Sequence, residues 1–375
     1  MAKYKLKELC EFITDGTHQT PEYCGNDGVI FLSSKDVTER KINWDSVKYI
    51  PNALHEKLCK RLKPRKNDIL LAKNGTTGVA AIVDRDEIFD VYVSLAVLRP
   101  LNVVYPKYLL YAINSPVVKR QFDAGLKGVG VPNLHLGVIK ETWINVVKKE
   151  GQQKVCKVLD KIEKIIELKK QELQLLDELI KARFVEMFGD PIQNSKGWEM
   201  SLIEDVVAKE KNALKAGPFG SALKKEYYVE SGYKIYGQEQ VISGDHTLGD
   251  YYIDEARYKM LENCAVQAGD VLISLVGTYG KLLIMPENFE PGIINPRLMK
   301  ITFDKEKVNP YYFKYFFQSE ALKRALSENT HGGTMDILNL GIVRKIEIPL
   351  PPLDLQNKFV SFVNQVNKSK VVHYI

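Results

Sequence analysis

Cysteine pairs are missing from this sequence. Its five cysteines, Cys10, Cys24, Cys59, Cys156 and Cys264, are odd in number and form no Cys-x-x-Cys. That argues for reduced thiols and against a disulfide framework or a structural zinc site. Long apolar runs are missing too: none approaches the ~18 residues of a membrane span. The start, MAKYKLKELCEF, lacks the apolar stretch of a signal peptide, so a cytoplasmic protein without a membrane partner is expected. No His-Glu-x-x-His or Gly-x-Ser-x-Gly occurs, which removes the metalloprotease and nucleophile-elbow chemistries that those spacings build. NDILLAKNGTTG, Asn67 to Gly78, has the look of a phosphate cradle, but Val79 and Ala80 stand where a P-loop needs Lys-Ser/Thr. No catalytic residue, cofactor or metal is expected.

What is present is an ordinary globular composition, 45% hydrophobic and 27% charged over 375 residues, enough for two or three domains. The net charge of +6 is mild and by itself says little about partners. Its distribution says more. HEKLCKRLKPRK carries Lys57, Lys60, Arg61, Lys63, Arg65 and Lys66 against the single acid Glu56. Such a run is either a solvated helix face or an edge that contacts phosphates.

The opening stretch occurs twice. GDVLISLVGTYG, Gly269 to Gly280, repeats it with Asp270, Gly277, Thr278 and Gly280 on Asp68, Gly75, Thr76 and Gly78. Further on, YPKYLLYAINS matches NPYYFKYFFQS and VPNLHLGVIK matches MDILNLGIVR, and Gln152 falls on Gln356. The chain is a tandem duplication, and a repeated element suits a recognition surface better than a catalytic loop. The Gly-x-x-Gly segment is expected to close a hairpin between DILLA and VAAIVD. Its tip, Lys73, Asn74, Thr76 and Thr77, or Thr278, Tyr279 and Lys281 in the second copy, is either a plain turn or a contact to phosphates and base edges. VIFLSS, DILLA, VAAIV and VSLAVLRP read as strands, and KYLLYAIN and YYFKYFFQSEALKRAL as helices.

From Gln152 the period changes. Val155, Leu159, Ile162, Ile166, Leu173, Leu176, Ile180 and Met187 follow steps of three and four, with Lys169 and Arg183 filling the gaps. This is a seam of coiled-coil type. A helix over 152–188 would be roughly 55 Å long, ended by Gly189-Asp190-Pro191. DLQNKFVSFVNQVNKSK offers it a partner through Phe359, Val363 and Val366. Two such helices packed antiparallel would act as a ruler. The expected fold is therefore mixed α/β (α+β), duplicated and joined by long antiparallel coiled-coil-type helices. The expected division is 1–150 and 190–353 for the recognition domains, with 151–189 and 354–375 as the helices.

DGTH near the start, FGDPIQNSKGW (188–198), GPFGSALKKEYY (217–228) and IPLPPLDLQ (348–356) together resemble the specificity subunit of Type I restriction–modification enzymes. The order of domain, long helix, domain and helix covers nearly the whole chain. The resemblance implies two target recognition domains that each read half of a split sequence in double-stranded DNA. It also implies spacer helices that dock two copies of an adenine methyltransferase subunit, a translocating nuclease subunit that joins them, and no catalysis by the chain itself. INVVKKEGQQ stands where the second copy has IEIPLPPLDLQ, so the first helix has a degenerate lead-in. The second helix has about 20 residues before the chain ends, roughly half the first. A C-terminus truncated relative to the family pattern, as from a rearranged locus, is the expectation.

The copies diverge most at ITDGTHQTPEYCGNDG and LKAGPFGSALKKEYYVESG, which predicts two different half-sites. Thr17 and His18 in the first loop, and Phe219, Ser221, Lys224 and Lys225 in the second, are the DNA-contact candidates there; His18 could instead be a metal or catalytic histidine. THGGTMD (330–336) and KGVGVPN (127–133) are matched Gly-rich loops. No Asn/Asp-Pro-Pro-Tyr/Phe, which receives the flipped base in adenine methyltransferases, appears. Glu167-Leu168-Lys169 has a nuclease-like acid-x-lysine form but lies on the predicted helix. Two other classes stay open: a stand-alone nuclease with a dispersed acidic site, and a helix-mediated scaffold that never touches DNA.

Overall fold

The computed structural model describes residues 1–126, 132–275, 280–328 and 338–372, and the chain divides into two units, Met1–Leu168 and Lys169–Ile375. In the first unit, strand Ile69–Ala72 sits inside a four-stranded antiparallel sheet. The order is Cys10–Asp15, Leu95–Pro100, Ile69–Ala72, Ala80–Ile82. Its four residues are all fully buried, because both faces of the sheet are covered. Ile69 and Leu71 face helices Pro106–Ile113, Pro116–Gly125 and Leu136–Glu141, sharing a core with Leu109, Phe122 and Ile139. Leu70 and Ala72 face a second core with Leu32, Phe89 and Val91. A strand buried on both sides reads as an unbroken apolar run, as DILLA does. The second core carries a three-stranded sheet, Lys48–Ile50, Val29–Leu32 and Phe89–Val91, whose last pair is parallel. A two-stranded ribbon, Ala2–Lys5 with Trp143–Val146, ties the start of the unit to its end.

The second unit repeats this plan. Its four-stranded sheet runs Leu214–Ala216, Leu298–Ile301, Val271–Ser274, Leu282–Ile284; its three-stranded sheet runs Tyr252–Ile253, Tyr233–Tyr236, Gly292–Ile294. Glu199–Leu202 pairs with Glu347–Leu350. The duplication extends to buried polar groups. Gln152 Oε1 accepts from Tyr105 N, and its Nε2 donates to Val103 O and Val147 O. Gln356 makes the same bonds to Asn309 N, Lys307 O and Pro351 O. Tyr108 Oη donates to Asn145 O, and Tyr312 Oη to Pro349 O. Asp68 and Asp270 each accept from the amide three residues earlier, and then from Arg99 on the neighbouring strand and from Thr302 just past the end of that strand's counterpart.

The long helix runs Lys149–Phe188, starting three residues before the expected Gln152 and passing through Gly151. Gly189, at φ +78°, ends it. YYFKYFFQSEALKRAL forms two helices, Pro310–Phe317 and Glu320–Glu328, not one; Ser319 accepts from Leu322 N and starts the second. The C-terminal helix, Leu353–Val372, lies antiparallel to the end of the long helix: Phe359 meets Phe184 and Phe188, while Lys370 reaches Asp177.

The expected seam differs in two respects. Ile180 is buried and Met187 packs half-buried against the same core, but the fully covered contacts beyond Ile180 are Phe184 and Phe188, at 3% and 1% exposure. The first part of the seam is uncovered: Val155, Ile162 and Ile166 are exposed, with Leu159 and Leu173 half-buried. Among the described residues, no helix is long and apolar enough to cross a membrane.

Candidate nucleic-acid interface

In the first unit, strand Cys10–Asp15 ends at a glycine for a steric reason. A Cβ on Gly16 would lie 1.8 Å from Val91 O. The second unit has the same pinch, where a Cβ on Gly217 would lie 1.9 Å from Asn295 O. Only glycine permits this backbone approach, so both chains leave their sheets at one fixed point. Beyond it they differ. The first continues through Thr17, whose amide donates to Val91 O, into His18, 73% exposed at its side chain. The second turns through two short 3-10 segments, Gly220–Ala222 and Lys225–Tyr227. There Phe219 is 90% exposed, and Ser221, Lys224 and Lys225 face solvent. A phenyl ring left this open loses about 2 kcal/mol of burial it would have gained inside.

The fold brings Thr17, His18, Arg61 and Lys73 around Asp15. Arg61 Nη2 donates to the carbonyls of Asp15 and Gly16, both at 2.7 Å, which pins the exit of the loop. His18 Nε2 lies 3.5 Å from Asp15 Oδ1. Lys73 corrects its sequence reading. It is buried, with Nζ 2.5 Å from Asp15 Oδ2, and serves the scaffold rather than a phosphate. Beside this cluster, His55 Nδ1 lies 2.7 Å from Asp90. Burial raises the Asp90 carboxyl above its ordinary pKa, and His55 partly offsets this.

The expected hairpin is present, with Ile69–Ala72 pairing Ala80–Ile82 and Gly75 and Gly78 at positive φ. Thr76 donates to Val37 O and Thr77 to Gly75 O, while Asn74 bridges to Asn133. In the second copy Lys281 is exposed; Thr278 and Tyr279 lie outside the described residues, as do THGGTMD and most of KGVGVPN. The basic run is not one helix face. The helix stops at Leu58, so Lys57 lies on it and the other cations follow it. Arg65 and Lys66 are partnered by Glu11 and Asp86. Lys57, Lys60 and Lys63 are exposed and, among the described residues, meet no acid.

Sequence reading missed the cationic and aromatic contacts flanking these loops. Lys48 lies over Tyr23 at 4.0 Å and Arg257 over Tyr227 at 3.7 Å; the chain's 19 tyrosines were the available signal, without positions. Burial pushes the Cys10 thiol up to about 12 and raises Cys264, which leaves both thiols protonated and unreactive at neutral pH. Among the described residues no group of three His, Cys, Asp or Glu is placed to hold a metal.

The family described as "Type I restriction modification DNA specificity domain" matches twice, over residues 1–178 and 195–371. The MjaVIII specificity subunit of a Type I restriction enzyme from Methanocaldococcus jannaschii is 22% identical over 342 residues, 86% of this chain and 78% of that protein. The MjaIX specificity subunit from the same organism is also 22% identical, covering 96% and 85%. The fold is similar to a chain from a structure of complex assembly and conformational transition in the type I R-M system, with TM-score 0.59, 16% identity and coverage of 99% and 91%. It is also similar to the Type I restriction-modification S subunit from M. genitalium, at TM-score 0.54, 14% identity and coverage of 100% and 91%. With matched sheets, matched glycine exits and two family matches that together take in most of its length, the chain belongs to the Type I restriction modification DNA specificity domain family and carries that domain in tandem.

Proposed function

We propose that the chain is the DNA-reading, non-catalytic subunit of a Type I restriction–modification complex, each repeat reading one half of a divided, asymmetric target. One observation carries this: the scaffolds share buried hydrogen bonds at Gln152 and Gln356 and at Tyr108 and Tyr312, whereas the loops past Gly16 and Gly217 differ in length, charge and aromatic content. A common frame with unlike loops suits unlike half-sites. In this reading Thr17 and His18 address one half-site, and Phe219, Ser221, Lys224 and Lys225 the other. Lys57, Lys60 and Lys63 supply phosphate contacts that set register without reading sequence. Asn74, Thr76, Thr77, Lys281 and the tip residues Thr278 and Tyr279 are candidates at the hairpins. Two adenine methyltransferase subunits and a translocating nuclease subunit complete the complex, in the cytoplasm, and the helices set the gap between the half-sites.

The test is to map methylated adenines in cells that express the chain with its methyltransferase. Phe219→Ala is expected to relax the bases read at one half-site and leave the other intact. Changing Lys57, Lys60 and Lys63 together to Gln should weaken DNA binding uniformly and flatten the salt dependence by about 0.9 per lost contact. Loss of specificity at both half-sites from Phe219→Ala, or DNA cleavage by the purified chain alone with magnesium, would refute the reading.

A further inference from the structure

Helices Pro106–Ile113 and Pro310–Phe317 hold matched places in the two repeats. In the first, Leu110 is 7% exposed and belongs to the apolar core. Its counterpart in the second is Lys314, which is half-buried. The scaffold accepts leucine at this place, so packing does not ask for a charge. A lysine can lay its stem on apolar surface and keep its ammonium in water, but the surroundings of this ammonium are adverse. Burial first, then Lys370 and Lys281, hold it below its ordinary pKa. Among the described residues it forms no ion pair with an acid. Lys370 and Lys281 stand where the first repeat has Ile166 and Val79, so all three cations are particular to the second repeat.

Lys314 and Lys370 line an open cleft of about 650 Å³, a volume within the range of small-molecule sites. Its walls come from the end of the long helix, from Pro310–Phe317 and the start of the helix after it, and from Leu353–Val372. Val185, Pro191 and Tyr315 give it an apolar side. Lys370 lies 2.5 Å from Asp177, so its charge is matched. Lys181 and Arg324 also line the cleft, and Asp190 and Glu320 balance them. Among the described residues, the charges left over are those of Lys314 and, acting on it, Lys281. Two positive charges in excess suit a dianion better than a carboxylate. A phosphate monoester, at about −1.5 to −2 near neutral pH, carries that charge.

We propose that this cleft of the second repeat binds a small phosphate monoester with an apolar body, its phosphate taken by Lys314 and Lys370 and its body laid against Val185 and Tyr315. The bound ligand bridges the long helix, the C-terminal helix and Pro310–Phe317, and so stabilises the folded chain. Duplex DNA is a poorer fit, because each of its phosphates is a singly charged diester carried on sugars instead of an apolar group.

The probe is phenyl phosphate, titrated into the full-length protein by calorimetry, with inorganic phosphate and benzoate as comparisons for its two halves. One saturable site is expected, tenfold or more tighter for phenyl phosphate than for either comparison, with an unfolding temperature that rises with ligand concentration. Lys314→Leu, which restores the residue of the first repeat, is expected to weaken binding tenfold or more and to abolish that rise. Lys314→Gln, which keeps the length of the stem, is the second variant, and thermal unfolding checks that both are folded. Lys305→Leu, at an exposed lysine outside the cleft, is expected to leave binding unchanged. Absence of saturable binding, or binding that survives both changes at Lys314, overturns the proposal. So does inorganic phosphate that binds as tightly as phenyl phosphate, since the apolar wall then plays no part. A short duplex of arbitrary sequence that displaces the probe, and that binds the Lys314→Leu variant more weakly, would assign the cation to DNA and overturn it too.

Discussion

At one pair of matched positions the two repeats make opposite choices. Asp15 pairs with Ala96 across its sheet, and Ala216 with Met299 at the same register. One strand over, Lys73 follows Ala72 as Leu275 follows Ser274, and both amides donate to the matched strand connection at Ser94 and Arg297. The first repeat thus buries an ion pair, Asp15 with Lys73, where the second places an alanine and a leucine. One scaffold tolerates both because a buried ion pair gains by attraction about what it loses in desolvation. What it does not tolerate is half of either arrangement.

The sharpest way to break the symmetry of the repeats is at the helices. Phe359→Ala removes a fully buried ring that touches Phe184, Phe188 and Tyr315, and is expected to lower stability by about 3–5 kcal/mol in denaturant unfolding. Val155→Ala, the same position in the first repeat, should cost less than about 1 kcal/mol, because its side chain already faces water. Equal losses would mean that Val155 is covered.

Next comes the ion pair. Lys73→Leu leaves the Asp15 carboxylate buried without its cation and is expected to cost about 3 kcal/mol. Adding Asp15→Ala, which recreates the second repeat's pair, should restore stability to within about 1 kcal/mol of the parent or better. A double variant as weak as the single one would show that the charges do more than fill space.

The smallest effect lies at Glu141. Its carboxyl accepts from Lys5 and Lys7, and these bonds hold its pKa down at about 2 against an ordinary 4.5. A depressed carboxylate contributes its full stabilisation above its unfolded pKa and loses it as pH falls through the folded value. Glu141→Gln should therefore flatten the stability profile slightly between about pH 4.5 and 2, and change nothing near neutrality beyond the loss of an exposed contact. The second repeat carries Lys345 at the matched place, so Lys345→Gln should leave that acid slope unchanged.

Much of this fold was legible because its signals are local. The apolar run before Gly75, the turn glycines and the helical period after Gln152 each act within a few residues. The expected hairpin and both long helices are present. Lys73 was misread because its burial depends on Asp15, 58 positions earlier, and nothing beside it in sequence announces an interior. Phe184 was missed because a regular heptad count passes through Arg183, and the true register is set by where Tyr312 and Phe359 lie. The change of period at Gln152 put the helix start there, but the helix begins at Lys149, its first turn held by the bond from Gln152 to Val147 O. What was legible in sequence around the candidate site is where the repeats part, at the stretches after Gly16 and Gly217; which side chains there are free was not. Whether Thr76 or Asn74 is free or engaged is decided by Val37 and Asn133, distant in sequence.

The pinched glycines at 16 and 217 have an evolutionary consequence. Each exit is fixed by the glycine itself, which alone fits against the facing carbonyl, so the anchor asks nothing of the side chains that follow it. If the segments past these glycines read the target as proposed, a change within them alters what is read without requiring the rest of the protein to be rebuilt.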